Sequence, residues 1–187
     1  MFSSATAQWL FLTCLPNLGR TRRRELLTEF PDLPRLLSMN AATLRAMGMT
    51  SDDITAIQAW QQQDETHPAV RDVRFIQDSC RKHGTGILTW PDTDYPEQLR
   101  HIHDAPLVLY TLGDTELLAR DQIGIIGSRK ATPAGLDHAR RFAAELSARE
   151  LLVTSGLALG VDGAAHAGAL DAGFPTIAVI GCGLDRI

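Results

Sequence analysis

Three glycine-bearing segments punctuate the last third of this chain: Gly127-Ser128-Arg129, Ser155-Gly156-Leu157-Ala158-Leu159-Gly160 and Gly181-Cys182-Gly183. Glycine lets a backbone approach an anion closely, and the N–H groups of a following helix point toward it. An arginine at such a turn adds a fork of donors suited to phosphate. The chemistry on offer is therefore phosphate capture. Hydrolysis is not expected, because Ser155 lies outside a GxSxG elbow and no His/Asp pair is placed for a triad. Asp162 and His166, four residues apart, share one helix face. Asp162 is expected to cap that helix, aspartate being a strong capping residue. So near a phosphate site its carboxylate would repel the ligand unless it bonds to backbone N–H groups. His101 and His103, with Asp104, superficially suggest a metal, but no further ligand is near in sequence, and an exposed or structural role is expected.

A dinucleotide site is the obvious alternative for the glycines. It wants GxGxxG after the first strand and an acid near the end of the second. The first turn here reads Gly124-Ile125-Ile126-Gly127-Ser128-Arg129, without that spacing, and the second strand ends in Thr154-Ser155-Gly156, without a carboxylate. A plainer account stays open too, in which the glycines only make tight turns.

The elements that position these turns follow from periodicity. Residues 1–65 read as a small all-helical bundle. Ser4 caps a first helix carrying Trp9, Leu10 and Leu12, which ends near Pro16–Gly19. Thr21 caps a second, with Leu26, Leu27 and Phe30 inside, Arg22, Arg23 and Arg24 outside, and Pro31 as its stop. A third runs from Asn40 to Gly48. A fourth starts around Ser51-Asp52-Asp53, acids favouring the helix dipole, and buries Ile54, Ile57 and Trp60. Arg20, Arg22, Arg23 and Arg24 are read as a solvated face, offset by Glu25 and Glu29, although a basic helix after a glycine turn also suits a DNA backbone. Of the tryptophans that could stack bases, Trp9 and Trp60 fall on apolar stripes, which leaves Trp90 as the open candidate.

The polar run Gln61–Pro68 is the expected domain boundary, giving a helical domain at 1–65 and a second domain at 66–187. In the latter, Val70, Val73, Ile76 and Cys80 mark a helix closed by Gly84. Short β-type runs follow at Gly86–Trp90, Leu107–Thr111, Gln122–Ile126, Leu151–Thr154 and Thr176–Ile180. The last three are nearly all apolar, as strands buried on both faces should be. Thr132-Pro133 caps a helix with the stripe Leu136, Ala139, Ala143 and Leu146. Strand–helix alternation at this spacing predicts an α/β fold: a Rossmann-like parallel sheet with right-handed crossovers, the glycine turns side by side beyond its carboxyl edge.

Composition limits the classes of function. The 187 residues are 44% apolar and 21% charged, ordinary for a globular protein. No apolar run is long enough for a membrane span, and Met1–Leu15 lacks the basic start of a secretory signal. Cys14, Cys80 and Cys182 are widely spaced and odd in number, which fits reduced thiols in a cytoplasmic protein. The net charge of −4 argues against a general polyanion binder, so any nucleic-acid contact must be local.

The run Ser155–His166 is the most specific signal. With Gly127-Ser128-Arg129, Ala169-Leu170 and Thr176–Asp185 it resembles the DNA-processing protein A (DprA/Smf) family, whose pattern is roughly GSR…SGxAxGxDxxAHxxAL…TIAVxGxGxD. Tyr95-Pro96, Asp104-Ala105-Pro106 and Leu107–Asp114 extend the likeness to residues 84–187. The N-terminal helices look like the sterile-alpha-motif or helix–hairpin–helix-like domain that many members carry. The resemblance implies a non-enzymatic, cytoplasmic protein that binds single-stranded DNA, protects it and promotes RecA loading in natural transformation and recombination. It implies DNA contacts at Gly127, Ser128 and Arg129, with Lys130 as a neighbouring helper. Ser155, Gly156, Gly160, Gly181 and Gly183 complete the expected DNA/phosphate set. No cofactor, metal or membrane partner is expected, and the full-length protein is expected to be a homodimer. The family continues after its last motif, so the sheet is expected to be incomplete at Ile187, binding DNA more weakly and associating through its edge. The alternative is a nucleotide phosphoribohydrolase of the related "lonely guy" group, whose PGGxGTxxE stretch is missing here, or a nucleotide-sensing module.

Overall fold

The computed structural model describes residues 4–184 apart from Pro31 and the side chain of Arg20. The expected helix stop at Pro31, the Arg20 side chain and Asp185 of the third motif lie outside the described residues. The chain forms two compact units, Met1–Leu112 and Gly113–Ile187.

In the first unit, Ser4 opens α1 (Ala5–Thr13) by accepting the Ala7 N–H at 3.1 Å. Ala7, Trp9, Leu10, Phe11 and Leu12 are all buried, and Thr6, Gln8 and Thr13 are half-buried, so most of α1 is covered by the rest of the unit. Around it lie α2 (Arg20–Glu29), a 3₁₀ segment at Leu33–Ser38, α3 (Ala41–Ala46), α4 (Ser51–Gln61) and α5 (Pro68–His83). The cap of α2 is Gly19, not the expected Thr21. At α4, Thr50 is the cap, and its hydroxyl both receives the Asp53 N–H and donates to the Asp53 carboxylate. The second oxygen of that buried carboxylate accepts the Asn17 N–H. Asp53 thus stitches a distant loop to the helix start as well as facing the helix dipole.

The division between units does not fall at the polar run near residue 65. Val70 and Val73 of α5 join the same core as Phe11, Leu26, Leu44 and Ile57, because an amphipathic helix must bury its stripe somewhere, and α1 and α4 are adjacent. The core then takes in Leu107 and Val108. Here β1 (Gly86–Thr89) and, after the short α6 (Glu97–Arg100), β2 (Val108–Thr111) form an antiparallel pair. The arginines of α2 are not a uniformly solvated face. Arg22 bonds to the Met47 carbonyl and to Glu25, and Arg23 donates to the Leu18 carbonyl, which leaves Arg24 exposed.

The second unit contains a parallel sheet in the order β3-β4-β5, with β3 (Gln122–Gly124), α7 (Pro133–Ser147), β4 (Leu152–Ser155), α8 (Val161–Asp171) and β5 (Thr176–Ala178) in sequence. Registers run Gln122 to Leu152 and Val153 to Thr176. Ile123, Ile125 and Val153 pack against Ala143, Ala165 and Ala169 of the helices. Small side chains let α7 and α8 come close. A Cβ on Gly168 would stand 2.8 Å from the Arg140 Cα, and Arg140 pairs with Asp171 across the contact. The architecture is mixed α/β with a parallel sheet. No helix among the described residues is long and apolar enough to cross a membrane.

Candidate functional site

Parallel strands deliver their carboxyl ends to one edge, so the three turns leave the sheet on the same side. Ile125 continues the β3 ladder by donating to the Thr154 carbonyl, and Val179 does the same from β5 to the Ser155 carbonyl at 2.8 Å. The first and second turns interlock. The Val161 N–H donates to the Ser128 carbonyl at 3.2 Å. Gly160, with φ at +90°, lies where a Cβ would meet Ser128 and stand 2.8 Å from the Arg129 Cα and carbonyl oxygen. Only glycine tolerates both the dihedral and the approach. A Cβ on Gly127 would in turn stand 2.8 Å from the Val161 side chain.

The Asp162 carboxylate fastens this junction. It is the second residue of α8, behind the Gly160 cap, so it does not cap the helix as expected. Its Oδ1 instead accepts the Gly127 N–H at 3.3 Å, and its Oδ2 lies beside Gly156. A buried carboxylate is tolerated when a hydrogen bond holds it. The Gly127 N–H is thereby engaged within the protein.

Ser155 is buried, and its hydroxyl donates to the Ile125 carbonyl at 2.6 Å, so it clamps β4 to the start of the first turn. His166 is buried as well. The Thr176 hydroxyl donates to the Val153 carbonyl at 2.6 Å and must therefore accept from His166 Nδ1 at 2.8 Å. The imidazole is the Nδ1–H tautomer, and its buried Nε2 has no partner among the described residues. Burial holds the His166 pKa below its ordinary 6.5, against the opposing pull of the Asp162 carboxylate.

Arg129 and Lys130 are the cations that face outward, beside the exposed apolar side chains of Ile126, Leu157 and Leu159. Ser128, Arg129 and Lys130 are exposed, and the Lys130 N–H is held by the Ser128 hydroxyl at 3.0 Å. Neither Arg129 nor Lys130 forms an ion pair among the described residues. The α7 N-terminus begins beyond them at Thr132, whose hydroxyl accepts the Gly135 N–H. Gly156, Gly181 and Gly183 are also exposed, and no atom stands within 4 Å of where a Gly181 Cβ would lie. Of the nine expected residues, Gly127, Ser128, Arg129, Lys130 and Gly160 form one interlocked turn. Ser155 and Gly156 underlie it, and Gly181 and Gly183 follow β5. The tie from Asp162 to Gly127 was missed, because a carboxylate paired with a glycine N–H 35 residues away leaves no local pattern.

His101, His103 and Asp104 are part of the first unit, as is Trp90. His103 Nδ1 lies 2.9 Å from Asp104, and His101 Nε2 is 3.7 Å from Glu97.

Glycine turns gathered beyond the carboxyl ends of parallel strands mark the ligand-binding end of open α/β proteins. The family model for DNA recombination-mediator protein A matches residues 86–187, more than half of the chain. The chain belongs to that family. It is 43% identical over 94 residues to the DNA processing protein DprA of Streptococcus pneumoniae, covering 50% of this chain and 33% of the relative. Against the Bacillus subtilis DprA it is 30% identical over 151 residues, covering 80% and 50%. The crystal structure of S. pneumoniae DprA superposes with a TM-score of 0.76 at 26% identity, covering 98% of this chain and 60% of that one. The chain thus spans half or less of the curated relatives named here.

Proposed function

We propose that this chain binds single-stranded DNA without cutting it, and that backbone phosphate is held at the turn Gly127–Lys130. The observation that carries this reading is the pair of exposed cations, Arg129 and Lys130, without acidic partners on a turn braced by Gly160 and Asp162. Phosphate neutralised by such groups gives affinity without sequence preference. The Ser155 hydroxyl, the Asp162 carboxylate and His166 Nδ1 are each engaged in bonds that hold the turns together, which favours binding over catalysis. In the same reading β3 to β5 are part of a Rossmann-like sheet, and the leading helices are a small sterile-alpha-motif or helix–hairpin–helix-like module. The whole protein acts in the cytoplasm as a homodimer, protecting incoming DNA and promoting RecA loading in transformation and recombination.

Arg129→Ala tests this. Single-strand affinity should fall, the melting temperature should stay, and the slope of log affinity against log salt should shrink by about 0.7 for one lost phosphate contact. Unchanged affinity and slope remove Arg129 from the site.

A further inference from the structure

The first unit contains a cleft of about 350 Å³ between α2 and the segment that follows β1. Its lining has two chemical halves. Arg24 supplies a cation and His101 and His103 ring nitrogens, His103 Nδ1 lying 2.9 Å from the Asp104 carboxylate of the same lining, while Trp90, Leu27 and Ile102 supply flat or apolar surface. The aromatic wall is braced by its neighbours, one of which, Arg100, also lines the cleft. Arg100 donates from Nε and Nη2 to the Trp90 carbonyl at 3.3 and 3.0 Å, and from Nη2 to the Asp92 carbonyl at 2.8 Å. The Trp90 ring stands 5.6 Å from that of Tyr95, whose hydroxyl is anchored on the Pro106 carbonyl at 2.6 Å. Opposite, Arg24 is exposed and forms no ion pair among the described residues.

A simple anion would leave the Trp90 wall without a partner, and an apolar ligand would cover the cations at a desolvation penalty. A nucleotide satisfies both halves, with phosphate on donor nitrogen and base on an indole. The cavity volume lies at the small end of ligand sites and suits one nucleotide unit. We propose that this cleft holds one nucleotide of a single strand, its phosphate toward Arg24 and its base against Trp90. The inference rests on the single-strand reading only for the class of ligand, and it makes the helical unit a second contact surface.

The whole chain is titrated with thymidine monophosphate and, separately, with a short oligothymidylate. Trp9 and Trp60 are buried, so emission quenching that vanishes in Trp90→Phe reports this cleft. Quenching by the oligomer, with or without quenching by the monophosphate, upholds the proposal; quenching by the monophosphate alone identifies a free-nucleotide site and overturns it. Arg24→Glu lies on an exposed helix face and should weaken oligomer binding by about tenfold with an unchanged melt, as loss of a charge-assisted contact requires. Absence of Trp90-dependent quenching with both probes overturns the cleft. So does unchanged oligomer affinity in Arg24→Glu while Arg129→Ala weakens it, an outcome that leaves the glycine-turn reading standing. Weakening by Arg24→Glu but not by Arg129→Ala has the opposite meaning: the cleft stands and the turn fails.

Discussion

Gly160 lies against the Ser128–Arg129 backbone at a φ of +90°, with no room for a side chain between them. The loop before α8 therefore forms a floor for the exposed Arg129 and Lys130. Gly160→Ala should destabilise the second unit by at least about 2 kcal/mol, through the left-handed dihedral and the clash together. Denaturant melts measure this, and single-strand affinity should fall with it. A variant of full stability would show that the turn has another packing available.

Asp162 separates charge from scaffolding. Asp162→Asn retains an acceptor for the Gly127 N–H and removes a negative charge near the turn. Stability should be nearly unchanged, and DNA affinity should hold or rise. Asp162→Ala leaves that N–H without its acceptor and should lose about 1–3 kcal/mol on chemical denaturation. Weaker binding in Asp162→Asn at full stability would mean that the carboxylate itself contacts the ligand.

Ser155→Ala distinguishes a clamp from a contact. Loss of the bond to the Ile125 carbonyl should cost about 1 kcal/mol. Single-strand affinity, measured well below the melting temperature, should not change, whereas a phosphate-binding hydroxyl would reduce it.

His166 should make stability sensitive to acid. Above its ordinary pKa of 6.5 the imidazole is neutral in the folded and unfolded chain alike, so it adds no pH dependence there. Below 6.5 the unfolded chain takes up a proton that the buried ring resists. Stability is thus fully present above 6.5 and is lost as pH falls toward the depressed folded value. His166→Asn keeps an N–H for Thr176 and does not titrate, so its melting temperature should fall less steeply than the wild type's between about pH 6.5 and 5. Parallel curves would show that His166 is not the group responsible.

The sequence revealed those features whose causes are local. Thr132-Pro133 announces the start of α7, Gly84 ends α5 in a left-handed conformation, and apolar runs mark β3, β4 and β5. Features built from distant residues were not legible. The polar run near Gln61 looks like a linker, but it is only the turn between α4 and α5, whose stripe returns to the α1 core. The cleft joins Arg24 to Trp90, and neither residue carries a signal of the other. For the turn Gly127–Lys130, residue types indicated where donors would gather. They could not tell that Ser155 turns inward, or that the Gly127 N–H is already engaged by Asp162.

Backbone-to-backbone contact at Gly168 and Arg140 leaves α7 and α8 no layer of side chains in which to slide. With the Arg140–Asp171 bridge over the same crossing, the two helices are one mechanical element. Their amides should exchange with solvent as a single cooperative unit, opening together or not at all. A ligand that steadies the first turn would then slow deuterium uptake along both helices, including the stretches of α8 farthest from that turn.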